Sequence, residues 1–215
     1  AVLNAHFLGQ EGGSALAEIL YGEASPSGKL AVSWPKTLKD SPSYSYYPAT
    51  ENDRGSWEMT CGEGVGMGYR HDWTPRTLQW PFGFGLSYTN FEISSLQVSR
   101  SIASVVPEDV EIIIEANVSN TGSVDGSEVV QVYIEDVASS VSRPQKELKG
   151  FKKIGVAAGK SEKVSITLKD RYAFSFWDES TKMWKCEAGQ FKIHVGDLTE
   201  IVVDAVHPRH WQQCF

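Results

Sequence analysis

The feature that most constrains this chain is strict two-residue alternation in its second half. In "DVEIIIEANVSNTG", Val110, Ile112, Ile114, Ala116 and Val118 share one face, and mostly polar residues share the other. Only an extended backbone sends successive side chains to opposite sides, so such a segment buries one face and wets the other. It closes in an Asn-Thr-Gly turn. "SEVVQVYIED" alternates in the same way, with Val130, Val132 and Ile134 on one face and Val129, Gln131 and Tyr133 on the other. "FEISSLQVS" comes before them. "KELKGFKKIGVAAG", "KSEKVSITLK", "RYAFSFWD", "KMWKCEAG" and "QFKIHVGD" come after, separated by Gly and charged turns. Trp177 and Trp184 are expected to face each other across a hairpin in "FWDESTKMW".

About seven short strands in roughly 110 residues predict an immunoglobulin-like or fibronectin type III-like β-sandwich. The first segment reads differently. "AVLNAHF" is a short apolar run, "SALAEILYG" places Ala15, Leu16, Ile19 and Leu20 on one helical face, and "PSGKLAVSWP" gives a turn and a second strand. Ser14 is the expected N-cap and Gly22 the expected stop. Two strands joined through a helix make a parallel βαβ unit, which needs neighbours. Residues 36–80 hold no sustained periodicity but are rich in Tyr and Trp, which argues for an ordered connector rather than disorder. The predicted fold class is therefore mainly β. A partial α/β (βαβ) portion spans 1–40, a connector 41–90 and the sandwich 91–215.

The net charge of −7 over 215 residues comes without a basic stripe, so no nucleic-acid partner is expected. No apolar run approaches the roughly 20 residues that span a bilayer, and no membrane partner is expected. The chain opens inside an apolar run without Met, a basic leader or a cleavage site, so upstream sequence is expected. Cys61, Cys186 and Cys214 are odd in number and lack metal spacing; one disulfide with one free thiol and a fully reduced chain both remain open. Asn117 heads an "NVS" sequon, which places an extracellular location ahead of a cytoplasmic one without deciding between them.

Five segments, in order, resemble the C-terminal part of family 3 glycoside hydrolases, the β-glucosidase group. "GQEGGSALAEILYGEASPSGKLAVSWPK" resembles the end of that family's α/β sandwich domain, and "GEGVGMGYR" its connector. "PFGFGLSYTNF" resembles the entry into a fibronectin type III-like domain, and "VSNTGSVDGSEVVQVYI" and "RPQKELKGFKKI" its central strands. The resemblance implies a parent enzyme that removes β-linked glucose, or a related sugar, with retention. That chemistry takes two carboxyls about 5 Å apart. In the family the nucleophile is an Asp on an N-terminal barrel, and the acid/base Glu usually lies upstream of the segment matching residues 9–13. The resemblance thus implies no catalytic residue in this chain. Its partner would be the missing barrel and sandwich portion, covalently joined or as a companion chain. After "GYR" this sequence has "HDW" where the family carries further Tyr and Asp, which leaves the sugar preference open.

The motif residues so marked are Gly9, Gln10, Glu11, Gly12, Gly13, Gly68, Tyr69, Arg70, Phe82, Gly83, Phe84 and Gly85. Glu11 stands before a helix start, where negative charge is favoured, and is weighed as a structural group against a rim contact with substrate. Gly12 and Gly13 lack the Lys-Ser/Thr of a phosphate loop and are read as packing positions. Glu63, Arg70 and Asp72 are expected to form a buried ion pair or clamp. Tyr44, Tyr46, Tyr47, Trp57, Trp73 and Trp80 are read as interface anchors rather than a sugar platform. Phe82, Phe84 and Phe91 are expected to plug a seam between domains, with Gly83 and Gly85 admitting close backbone approach. His207 and His210 lack a third ligand, so neither a metal nor another cofactor is expected. The alternative to a hydrolase scaffold is an independent sandwich module that binds carbohydrate or protein.

Overall fold

The computed structural model describes residues 2–101, 111–169, 173–205 and 209–211. Its first regular element is α1, Gly12–Tyr21. Leu16 and Ile19 are half-buried on it, while Ala15 and Leu20, expected on the same stripe, face solvent. The helix ends at Gly22 in the left-handed conformation, as expected. Its start differs from expectation. Glu11, not Ser14, holds the N-cap position. The Gly12 N–H already closes a turn onto the Gly9 carbonyl at 3.0 Å, so the chain winds before Ser14 is reached.

The strands expected on either side of α1 do not form a parallel pair. Residues 2–7 are not in a strand, and the second run contributes only β1, Trp34–Pro35. A strand satisfies its backbone only through a neighbour, and no described segment offers a parallel one. β1 instead pairs antiparallel with β4 (Leu78–Trp80) across the connector. The connector carries short elements along its length. It holds a short hairpin of β2 (Thr50–Glu51) and β3 (Trp57–Glu58), 3-10 turns at Leu38–Asp40, Tyr44–Tyr46 and Gly68–Arg70, and then β4 (Leu78–Trp80).

The sandwich is built from β5 (Phe91–Ser101), β6 (Glu111–Asn120), β7 (Gly126–Asp136), β8 (Glu147–Val156) and β9 (Ser161–Lys169), with β12 (Gly189–Val195) and β13 (Leu198–Ala205). One sheet runs β5-β6-β9 and the other β13-β12-β7-β8, every pairing antiparallel. A third, small sheet joins β10 (Phe176–Asp178), β11 (Met183–Cys186) and β14 (Arg209–Trp211). There Trp177 lies opposite Trp184, with ring centroids 5.9 Å apart and edge to face.

The two main sheets close on the alternation read from sequence. Ile112, Ile114, Ala116 and Val118 of β6 join Val130, Val132 and Ile134 of β7 and Phe191, Ile193 and Val195 of β12, all at most 2% exposed. They belong to one contiguous core. Val110 lies outside the described residues. Dry β faces of this kind supply the main driving force for folding, roughly 1.5–3 kcal/mol per large side chain buried.

Three polar residues are buried among the described ones, Thr89, Asn120 and Ser175. Asn120, 2% exposed, ends β6. Its amide nitrogen donates to the Val124 and Val156 carbonyls at 2.8 and 3.0 Å, and its Oδ1 accepts from the Thr89 hydroxyl and the Gly122 N–H. It therefore ties the turn after β6, the end of β8 and the entry into β5. Replacing Asn120 by Ala strands several buried partners, and urea unfolding is expected to show a loss of about 2–4 kcal/mol. Asn117→Ala on the outer face of the same strand should stay within about 0.5 kcal/mol of the parent chain.

Candidate functional site

The aromatic run between connector and sandwich threads a seam. The Gly83 N–H donates to the Leu30 carbonyl at 2.7 Å, and the Leu30 N–H to the Phe84 carbonyl at 2.8 Å. Gly83 has φ +81, and a Cβ there would lie 2.8 Å from the Gln131 side chain of β7. At Gly85 a Cβ would collide with the Gly28 carbonyl oxygen. Both glycines let two backbones and a sheet face meet more closely than a side chain allows. Lys29 locks the junction, donating to the Gly85 carbonyl at 2.9 Å and pairing with Glu128 at 3.0 Å. The Tyr88 hydroxyl donates to the Ile19 carbonyl at 2.7 Å and so pins α1 to the same seam. Phe82 packs on Tyr69 with ring centroids 4.8 Å apart, Phe91 packs against the sandwich core, and Phe84 is exposed.

Beside the seam the connector and the outer face of β7 enclose a cleft of about 710 Å³. Tyr69 is one of its lining residues. Its hydroxyl oxygen accepts the Leu148 N–H of β8 at 2.9 Å, and its ring meets that of Tyr133 edge to face at 6.0 Å. The Arg70 guanidinium lies over Tyr69 at 5.3 Å, and the Lys146 ammonium over Tyr133 at 4.9 Å. The Tyr133 hydroxyl donates to Gln131. Burial, with Tyr69 alongside, pushes the Tyr133 phenol up to about 12, so it stays neutral.

Arg143 forms the floor. It contacts Asp136 at 3.1 Å and Glu147 at 2.6 Å, and donates to the Phe174 carbonyl at 3.3 Å. Lys149 reaches the same Glu147 oxygen at 3.2 Å. Burial alone would raise Glu147, but Lys149 and Arg143 outweigh it and hold the carboxyl below its ordinary 4.5. Burial lowers Lys149, with the Glu147 charge opposing that shift.

The other candidates scatter. Glu11 is exposed at the start of α1, its Oε2 accepting from the Ser14 hydroxyl at 3.4 Å. Gly9 and Gln10 form the turn before it. Gly12 packs against Leu8, and Gly13 faces open space. Gly68 opens the 3-10 turn that carries Tyr69 and Arg70. The expected Glu63–Arg70–Asp72 ion pair does not form. The Ser43 hydroxyl donates to Glu63 Oε1 at 2.8 Å, while Arg70 and Asp72 make no ion pair among the described residues. The 3-10 turn aims Arg70 along the Tyr69 ring and into the cleft instead.

Of the aromatic anchors, Trp73 lines the cleft, Trp80 packs edge-on to Trp34, and Tyr47 and Trp57 are exposed. Asn117 is half-buried on the central strand of its sheet. Cys61 is exposed and Cys186 buried; Cys214 and His207 lie outside the described residues. Among the described residues no group of three or more His, Cys, Asp or Glu could hold a metal ion. No helix among them is long and apolar enough to cross a membrane.

Known proteins match this arrangement over nearly the whole chain. The Glycosyl hydrolase family 3 C-terminal domain model matches residues 1–88, and the Fibronectin type III-like domain model matches residues 128–199. The chain belongs to the C-terminal region of glycoside hydrolase family 3. An exo-alpha-(1->6)-L-arabinopyranosidase of Bifidobacterium longum is 41% identical over 206 residues, which cover 95% of this chain and 26% of that protein. Thermostable beta-glucosidase B of Acetivibrio thermocellus is also 41% identical, over 94% of this chain and 26% of that protein. The solved structure of a Kluyveromyces marxianus beta-glucosidase in complex with glucose superposes with a TM-score of 0.79 at 35% identity, covering 94% of this chain and 24% of that one. The family 3 chain therefore spans about a quarter of the length of these relatives.

Within this family 3 chain, the residues that sequence reasoning passed over are Tyr133, Arg143, Lys146, Glu147 and Lys149. The available signal was charge spacing: Arg143 and Glu147 stand four apart before an otherwise regular strand, with Asp136 at the end of the preceding one. Two outcomes follow from the geometry. Tyr69→Phe removes the acceptor of the Leu148 N–H and should cost about 1–2 kcal/mol in thermal or urea unfolding. Because Glu147 sits below its ordinary value, it contributes stability that is present at neutral pH and is lost as pH falls below 4.5 towards its folded value. Stability measured against pH should therefore fall less steeply in that window for Glu147→Gln than for the parent chain.

Proposed function

We propose that this chain is the C-terminal scaffold of a retaining glycoside hydrolase that removes terminal β-glucosyl or related sugar residues. In this reading both catalytic carboxylates lie on sequence outside these residues. The observation that carries it is the coverage: relatives named beta-glucosidase and arabinopyranosidase align with at least 94% of this chain but only about a quarter of themselves. The chain divides into an α/β portion at 1–40, a connector at 41–90 and a sandwich at 91–215.

The chemistry of the cleft supports the same reading. Asp72 and the cations Arg70, Arg143 and Lys146 line it, and among the described residues no second carboxylate does so. Retaining hydrolysis takes two carboxyls about 5 Å apart, one as nucleophile and one as acid/base. The surface supports it too. Phe7, Leu20, Tyr21, Tyr47, Trp57 and Leu86 are each at least 67% exposed. Exposed large apolar side chains suit contact with further protein, here the remainder of the hydrolase. Glu11 takes a structural role at the start of α1, with its charge near the helix N-terminus.

The test is turnover of an aryl β-glucoside by this chain alone, by the remainder of the parent enzyme alone, and by the two mixed. Neither piece alone should turn over, and activity should require both. Turnover by these 215 residues alone would overturn the proposal.

A further inference from the structure

The cleft beside Tyr69 has a chemistry that glucoside hydrolysis leaves unused. Two of its lining cations, Arg70 and Lys146, make no ion pair among the described residues. Each lies over a tyrosine face, at 5.3 and 4.9 Å, and the two rings contact each other at 6.0 Å. An aromatic face attracts a cation without cancelling its charge. Arg143 is different, because Asp136 and Glu147 already hold it.

The inner polar groups are also spoken for. The Tyr69 hydroxyl takes the Leu148 N–H, and the Tyr133 hydroxyl gives its proton to Gln131. What remains on offer is two positive heads on the walls, the aromatic surface of Trp73 and Phe82, Asp72 as an acceptor, and the neutral polar side chains of Ser33, His71 and Gln145. Asp136 and Glu147 are matched by Arg143 and Lys149. Arg70 and Lys146 against Asp72 then leave one net positive charge at the cleft. A chain of net charge −7 thus gathers unpaired cations where aromatic rings also converge. The volume of about 710 Å³ suits a small ligand of a few rings, since such sites run from roughly 300 to 1,000 Å³.

We propose that this cleft binds an anionic pyranose, with Arg70 and Lys146 on its carboxylate or sulfate and the aromatic wall against its ring. Asp72 accepts from a ring hydroxyl. The guanidinium fork and the ammonium are donors only, so they recognise an anion more strongly than neutral hydroxyls. This site is independent of the hydrolytic reading: it concerns binding to this chain, and its failure would leave the location of the catalytic carboxylates untouched.

Calorimetric titration of the whole chain tests it, with trigalacturonate, a sulfated trisaccharide, cellotriose and tripolyphosphate as probes. At least one of the two acidic sugars should bind, with the carboxylate and sulfate arms showing which anion is preferred. Cellotriose should bind at least about tenfold more weakly, and Arg70→Ala and Lys146→Ala should each lose about tenfold in affinity. Both side chains are at the surface, so melting temperatures should match the parent chain, and Lys39→Ala, exposed in the Leu38–Asp40 turn, should bind as before. Binding should also weaken as salt is raised. Failure of both acidic sugars to bind, equal binding of cellotriose, or equal binding of tripolyphosphate would each overturn the proposal.

Discussion

Burial of a single face of β7 decides most of what the rest of the molecule can do. Val130, Val132 and Ile134 point into the core, so Gln131, Tyr133 and Glu135 must point out. A slip of one residue would exchange the two sets and dissolve the core. The connector is fitted to that outward set. Gly83 closes on Gln131, and Tyr69 meets Tyr133 and takes a backbone N–H from β8. The cleft is therefore a by-product of sheet register: it exists where an aromatic connector is laid over the polar face of a sheet whose other face is dry.

The same geometry explains why ion pairing concentrates at Arg143. The segment between β7 and β8 has to cross the edge of the sandwich close to its core. A guanidinium with only 8% of its side chain exposed is tolerable there because Asp136, Glu147 and the Phe174 carbonyl all accept from it. Fixing Arg143 fixes the segment that carries Lys146, and so the second wall of the cleft. Structure and binding chemistry are joined through this one residue.

The sandwich was legible because its signal is local. Alternation in "VEIIIEANV" and "SEVVQVYI" sorts each segment into two faces; Ile112, Ile114, Ala116 and Val118 are buried as one set, and in the second segment the structure selects Val130, Val132 and Ile134, a choice the alternation left open. The seam was partly legible, since paired glycines among aromatics announce a close approach without naming the partner. Phe82 packs on Tyr69, whereas Phe91 joins the sandwich core rather than a seam and Phe84 is exposed. The α/β portion kept its helix but not a parallel strand pair, because a strand, unlike a helix, draws its hydrogen bonds from neighbours. The cleft was illegible for a related reason. Tyr69, Arg70, Tyr133 and Lys146 are brought together by the docking of the connector, and no spacing along the chain encodes that meeting.

The chain is a β-sandwich with a docked connector and belongs to the C-terminal region of glycoside hydrolase family 3. Under the proposed function bond cleavage lies outside these residues, and the covalent intermediate of a retaining enzyme gives direct access to that claim. The parent enzyme can be stalled with a 2-deoxy-2-fluoro glucoside and digested, and the labelled carboxylate located by mass spectrometry. The account predicts the label on a peptide outside these 215 residues. A glycosylated Asp or Glu within them would contradict it.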